Sequence, residues 1–220
     1  MQDPKPRAFL FDMDGVICDN NAWHRTSWLA YAEQLGKRLS EQDIETKVYG
    51  KTNAEILAFV LGRPVDAQEL HHHAEAKEAL FRKHYEPHFA LTPGLEAFLA
   101  AALRADVAIG LATNAPLSNL EFTWDKGQLS RFFSVRTHAA EVAHPKPAPD
   151  LYQLCAERLG IPPAQAIVFE DSLTGIKAAR AAGAKVIGIA STISPATLAP
   201  LCDKVIKDFT QLTPAQALAL

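Results

Sequence analysis

The chain has 220 residues, 48% of them hydrophobic and 21% charged, with a formal net charge of −3, a balance that excludes a basic nucleic-acid footprint. Cys18, Cys155 and Cys202 are scattered and odd in number, which fits a reducing compartment better than a disulfide scaffold. No apolar run is long enough to span a bilayer, and Met1–Arg7 is not followed by a segment of signal-peptide length, so the reading is a cytoplasmic protein without a membrane or nucleic-acid partner.

In chain order, residues 7–12 read as a first buried strand, apolar on both faces, cut off by Asp12-Met-Asp14 and a sharp turn at Gly15. From Asp19 to about Glu86 the pattern is helical. Trp23, Ser27, Ala30, Tyr31 and Leu35 keep helical spacing up to Gly36. Ser40 reads as an N-cap with Asp43 three residues on, and Thr52-Asn-Ala-Glu55 as a capping box before Ile56, Leu57, Phe59 and Val60. A further helix runs from about Ala67 to Tyr85.

After Pro87 strands and helices alternate. Thr92-Pro-Gly94 is a turn before a helix over Leu95 to Arg104, and Val107 to Thr113 is a buried strand. A helix is predicted from Pro116 to about Leu129 and a short strand over Ser134 to His138. His144-Pro-Lys-Pro-Ala-Pro149 is a stiff loop whose three prolines fix three φ angles and so aim Lys146. Then come a helix from Asp150 to Leu159, a strand from Ala166 to Phe169 ending in Glu170-Asp171, a helix from Leu173 to Ala182, strands over Lys185 to Ala190 and Lys204 to Ile206 with a short helix near Ala196 between them, and a C-terminal helix after Pro214. Such βαβ spacing implies an α/β fold: a Rossmann-like, doubly wound, mainly parallel sheet. The expected organisation is a discontinuous core, 1–18 and 87–220, with an inserted helical cap, 19–86.

In a doubly wound sheet, ligands bind beyond the carboxyl ends of the strands. Those ends carry Asp12 and Asp14, Thr113 and Asn114, Lys146, and Glu170 and Asp171. Four carboxylates in one cleft call for a cation, and all-oxygen ligands suit Mg²⁺. Lys146 and the Thr113 hydroxyl face an anion, and a divalent metal beside such an anion site is what a phosphoryl group requires. Asp12, nearer the rigid strand, is the expected nucleophile, and Asp14 the expected acid/base, with its main-chain carbonyl toward the metal.

These residues resemble the haloacid dehalogenase superfamily. Asp12-Met-Asp-Gly-Val16 resembles its first motif, Thr113-Asn114 after an apolar strand the second, Lys146-Pro-Ala-Pro-Asp150 the third, and Glu170-Asp171-Ser172 with Gly175-Ile176 the fourth. The order and spacing agree over nearly the whole chain. The helical insert after the first motif looks like the subgroup of β-phosphoglucomutases and related sugar-phosphate phosphatases. The resemblance implies Mg²⁺, an aspartyl-phosphate at Asp12, metal ligation by Asp12, Asp14, Glu170 and Asp171, and a cap that closes over a small phosphorylated metabolite. It also implies that His24 matches a hinge histidine and that Gly50-Lys-Thr52 resembles a substrate-specificity loop, so His24, Gly50, Lys51 and Asn53 join Thr113, Asn114 and Lys146 as candidate substrate contacts.

Asp14 favours phosphate-ester chemistry over the dehalogenases and the phosphonate-cleaving branch, which lack it. Asn53 stands where the mutases place arginine, which favours a phosphatase over a hexose-phosphate mutase. A non-catalytic phosphate-binding regulator is the other alternative; its usual mark, loss of Asp12, Asp14 or Lys146, is absent. His71-His-His73 reads as a solvated helix face, since consecutive helix residues do not converge, and Cys18 reads as packing. The expected state is a monomer or a weak homodimer.

Overall fold

The computed structural model describes residues 7–48 and 51–220. The chain divides into two compact units, Met1–Asp19 with Ala90–Leu220, and Asn20–Phe89. Strand β1, Ala8–Phe11, is buried throughout. Phe9 and Phe11 enter one hydrophobic core while Ala8 and Leu10 enter another, as the two-residue period of a strand covered on both faces requires.

The unit Asn20–Phe89 carries α1, Asn21–Gln34, the short α2, Glu41–Asp43, a π-helical turn over Ile44–Val48, α3, Asn53–Leu61, and α4, Ala67–Tyr85. Three of these helices start on a complete capping box, Ser40 with Asp43, Thr52 with Glu55 and Asp66 with Glu69. Each box satisfies amide donors that the first helical turn leaves open. Trp28, Tyr31, Ile44, Leu57 and Val60 form the core of this unit.

The α/β unit continues with α5, Leu95–Arg104, β2, Ala108–Thr113, α6, Leu117–Lys126, β3, Val135–His138, α7, Asp150–Arg158, β4, Ala166–Glu170, α8, Leu173–Ala181, β5, Lys185–Ile189, α9, Pro195–Leu198, β6, Lys204–Ile206, and α10, Pro214–Leu218. Helix α6 is shorter than its predicted reach to Leu129. It closes at Gly127, Gln128 takes a left-handed φ of 49°, and a separate 3-10 turn follows over Leu129–Arg131. Gly94 is required where it stands: its φ is 80°, and a Cβ there would lie 2.6 Å from the Thr210 amide nitrogen.

The sheet has the order β3-β2-β1-β4-β5-β6, and every strand pair is parallel. The winding direction reverses between β1 and β4, which is where a doubly wound sheet opens a crevice at its carboxyl edge. One face is closed by an aromatic core in which Phe11 stacks on Phe169 at 4.6 Å and Phe98 and Phe209 pack around them. The other face is covered by α7 and α8, with Leu10, Val168, Tyr152 and Ile176 in one cluster. Among the described residues, no helix is long and apolar enough to cross a membrane.

Candidate active site

Strand alternation decides which side chains meet. Ala166 and Val168 belong to the core on the α7–α8 face, and Ile167 and Phe169 to the aromatic core. Two residues beyond Val168, Glu170 therefore turns toward α7 and α8. The Asp12 amide still donates to the Phe169 carbonyl at 3.0 Å, so the same alternation carries Asp12 to the Leu10 face. Lys146 meets both acids there. Its Nζ donates to Asp12 Oδ1 and to Glu170 Oε1, the latter at 2.9 Å, and all three residues are buried.

Glu170 accepts through both of its oxygens. Oε1 accepts from Lys146 Nζ and from the Tyr152 hydroxyl, while Oε2 accepts from the amides of Asp171 and Ser172 and from Ser172 Oγ, all at 2.9–3.0 Å. A carboxylate offers about four lone-pair sites, so these donors saturate it. Its seat depends on Gly175: a Cβ at that position would lie 1.6 Å from Glu170 Oε1. Ser172, not either acid, caps α8, its Oγ accepting from the Gly175 amide at 3.0 Å.

Asn114 uses its amide on the loop that carries Lys146. Nδ2 donates to the Lys146 carbonyl and Oδ1 accepts from the Lys146 amide, each at 3.0 Å. This is a two-point grip on the lysine's main chain. Thr113 Oγ1 accepts from the Ala115 amide at 3.0 Å and is buried. Proline stiffness alone does not aim Lys146; Asn114 fixes the loop from outside it.

Burial raises the Asp12 carboxyl well above its ordinary value, with Lys146 opposing and the neighbouring Glu170 and Asp171 adding to the rise. Asp171 is pushed up to about 7, first by burial and then by Glu170, with Asp14 contributing and a hydrogen bond from Thr192 opposing. For Lys146, burial favours loss of the proton, but Asp12 and Glu170 outweigh it and hold the pKa above the usual lysine value. Carboxylate oxygens of Asp12, Glu170 and Asp171 lie within 4.8 Å of one another. With Glu170 already saturated by its donors, the oxygens of Asp12 and Asp171, two carboxyls raised first by burial, are the ones that can face a hard divalent cation, which their chemistry fits.

Two further residues reach this cluster. Ser191 Oγ donates to the Gly15 carbonyl at 2.6 Å and lies 3.5 Å from Asp171 Oδ2, and Thr192 Oγ1 donates to that same carboxylate oxygen. Both lie in the turn two and three residues beyond the end of β5, within reach of the strand-end rule that found the other positions. Tyr152 gave no comparable signal, because on sequence it is one more apolar-face residue of a helix.

The remaining candidates lie in the helical unit. His24 stacks on Phe81 at 3.8 Å, and its Nδ1 lies 2.9 Å from Lys77 Nζ. Lys77 is only 2% exposed and also donates to Glu78 at 2.9 Å; neither residue was singled out from sequence. Lys51 pairs with Glu55 at 3.9 Å beside a pocket of about 270 Å³ lined by Thr46, Lys47, Lys51, Glu55 and Phe59. Asn53 opens α3, and Gly50 lies outside the described residues. His73 Nδ1 lies 2.6 Å from the Tyr31 hydroxyl, and the three consecutive histidines form no metal cluster among the described residues.

A family model described as haloacid dehalogenase-like hydrolase matches residues 6–183. Protein CbbY of Cereibacter sphaeroides is 32% identical over 189 residues, which cover 82% of this chain and 82% of that protein. Fructose-1-phosphate phosphatase YqaB of Escherichia coli is 31% identical over 190 residues, covering 83% of this chain and 95% of the enzyme. A β-phosphoglucomutase of Bacillus subtilis is 28% identical over 196 residues, covering 83% of each chain. Among solved structures, a family IA, variant 3 hydrolase of Entamoeba histolytica superposes with a TM-score of 0.91 at 27% identity, covering 97% of this chain and 98% of that one.

Proposed function

The chain belongs to the haloacid dehalogenase-like hydrolase family, and from that premise we propose that it hydrolyses the phosphate monoester of a small sugar phosphate, with Mg²⁺ held among its acidic side chains. The observation that carries the reading is the buried Lys146 ammonium seated between Asp12 and Glu170 at the carboxyl edge of the sheet. An ammonium beside a nucleophilic carboxylate lowers the repulsion between that carboxylate and an incoming phosphate dianion.

In this reading Asp12 attacks phosphorus. The bond from an Asp12 oxygen to phosphorus forms as the bond to the sugar oxygen breaks. Asp14 gives its proton to the departing alkoxide and then takes one from the water that releases inorganic phosphate from Asp12. Lys146 neutralises phosphoryl oxygens throughout, and Thr113 and the backbone amides beside it face the same group. Asp12, Asp14 and Asp171 would hold the ion, with Glu170 supporting the site through Lys146 and the Asp171 amide. Bound there, Mg²⁺ supplies charge neutralisation for the transferring phosphoryl group.

The two compact units are proposed as separate domains, core and insert. Discrimination among substrates falls to the insert, where His24, Gly50, Lys51 and Asn53 are the candidates. The similarity to YqaB, whose name states a fructose-1-phosphate phosphatase, supports a sugar phosphate. The similarity to a β-phosphoglucomutase keeps the mutase as the second reading; Asn53, where the mutases place arginine, weighs against it.

The test uses the full chain with Mg²⁺ and a panel of phosphorylated metabolites, fructose 1-phosphate and β-glucose 1-phosphate among them. Release of inorganic phosphate without isomerised sugar phosphate is expected, and isomerisation without release supports the mutase instead. Asp12→Asn is expected to lower turnover of p-nitrophenyl phosphate by at least about a thousandfold, the scale of losing a covalent nucleophile, with the far-UV circular dichroism unchanged. A wild type inert on the whole panel overturns the proposal.

A further inference from the structure

Tyr152 sits in the core beneath α7 with its side chain fully buried, where a phenylalanine would pack as well. A buried tyrosine brings a hydroxyl that must find a partner, and the partner chosen is informative. The hydroxyl donates at 2.9 Å to Glu170 Oε1, the same oxygen that accepts from Lys146 Nζ. The ring of Tyr152 also lies under that ammonium, 4.5 Å from Nζ to the ring centroid, within the range of a cation–π contact. Tyr152 therefore touches both members of the Lys146–Glu170 pair and neither of the aspartates.

The consequence is geometric. Oε1 has two lone-pair directions, and the tyrosine hydroxyl fills one of them, so Lys146 has a single approach to the carboxylate. The ring closes the space on which the ammonium would otherwise swing. Two of the three N–H bonds of Lys146 point to Asp12 and Glu170. Fixing those two fixes the direction of the third.

We propose that Tyr152 is a positioning residue for phosphoryl transfer, its hydroxyl and ring together holding the Lys146 ammonium so that its third N–H meets a phosphoryl oxygen. The inference rests on the phosphatase reading, because it takes a phosphoryl group as what Lys146 serves. Position, not charge, is what Tyr152 controls, and a displacement of about 1 Å at a group that contacts the reacting phosphoryl is enough to slow a reaction strongly.

The full chain, Tyr152→Phe and Tyr152→Leu are compared in two ways. With Mg²⁺ and p-nitrophenyl phosphate, Tyr152→Phe is expected to lower kcat about tenfold and Tyr152→Leu about a hundredfold, with KM within about twofold of wild type. The melting temperature of Tyr152→Phe is expected to stay within about 2 °C of wild type. Crystal structures of the variants are expected to show Lys146 Nζ displaced from Glu170 Oε1, more in the leucine variant than in the phenylalanine one. Wild-type kcat in Tyr152→Phe, or an undisplaced Lys146 in both variants, overturns the proposal, as does a loss of melting temperature without loss of kcat. If the wild type turns over no phosphate ester, the functional reading fails, and the position of Lys146 in the variant crystals still decides what Tyr152 holds.

Discussion

The two units handle charge in opposite ways. In the α/β unit, Asp12, Lys146, Glu170 and Asp171 are all buried and bonded across long stretches of chain. In the helical unit a set of charged side chains acts on its own neighbourhood: Asp43, Glu55 and Glu69 close capping boxes on exposed helix starts, and Lys51 pairs with Glu55 one turn on. Burying four charges together is unfavourable unless every one has partners, so the α/β unit retains an arrangement that packing alone would discard. The capping carboxylates Asp43, Glu55 and Glu69 show what charges do in this chain when only helix stability is at stake. Lys77 and Glu78 break that contrast, because they are buried in the helical unit beside Trp28 and Phe81.

The sharpest way to break the comparison is at Gly175. Adding one methyl there places it inside Glu170, so Gly175→Ala is expected to lower kcat at least about a hundredfold and to cost about 2–3 kcal/mol of stability through overpacking. Steady-state kinetics with urea unfolding checks both, and near-wild-type values in both would mean that Glu170 is not the seat of the buried network. Lys77→Met tests the exception in the helical unit. Removing the ammonium leaves the Glu78 carboxylate with a lost partner at 2.9 Å, and about 3 kcal/mol of stability is expected to go. Urea unfolding measures it, and adding Glu78→Leu should restore part of the loss.

The smallest effect is expected at Glu69. Its hydrogen bond from Arg63 lowers the carboxyl from its ordinary 4.5 to about 2. A carboxyl whose folded pKa is depressed favours the fold fully above its ordinary value, and that contribution fades as pH falls from 4.5 toward about 2. Because the group is at the surface, the effect is modest and screened by salt. Melting temperatures of wild type and Glu69→Gln should differ slightly at pH 6 and converge as the pH approaches 2, and a constant difference across that range would assign Glu69 another role.

The order of strands and helices was legible because each is announced locally. Apolar runs marked β1, β2 and β4, and Ser40 and Thr52 announced the helices that follow them. The positions of Asp12, Lys146 and Glu170 were legible for the same reason, since each directly follows an apolar run or sits in a proline-rich loop. The partners were not legible. Ser191 bonds the Gly15 carbonyl across 176 residues of chain, and Tyr152 bonds Glu170 from the neighbouring helix; no local pattern encodes either meeting. The end of α6 was misread because the turn is made by Gln128 in a left-handed conformation, which is uncommon for any residue other than glycine.

Asp12 and Glu170 share a sheet face with Leu10 and Val168, and one phase of the backbone sets them all. Deleting or inserting a single residue within β1 or β4 would exchange the faces of every side chain beyond it, sending a carboxylate into the phenylalanine core and a phenylalanine to Lys146. Substitutions can retune this protein one residue at a time, but length changes in those two strands cannot. The inheritable variation open to it therefore lies in the loops and in the inserted helices, where a change of length leaves the phase of β1 and β4 untouched.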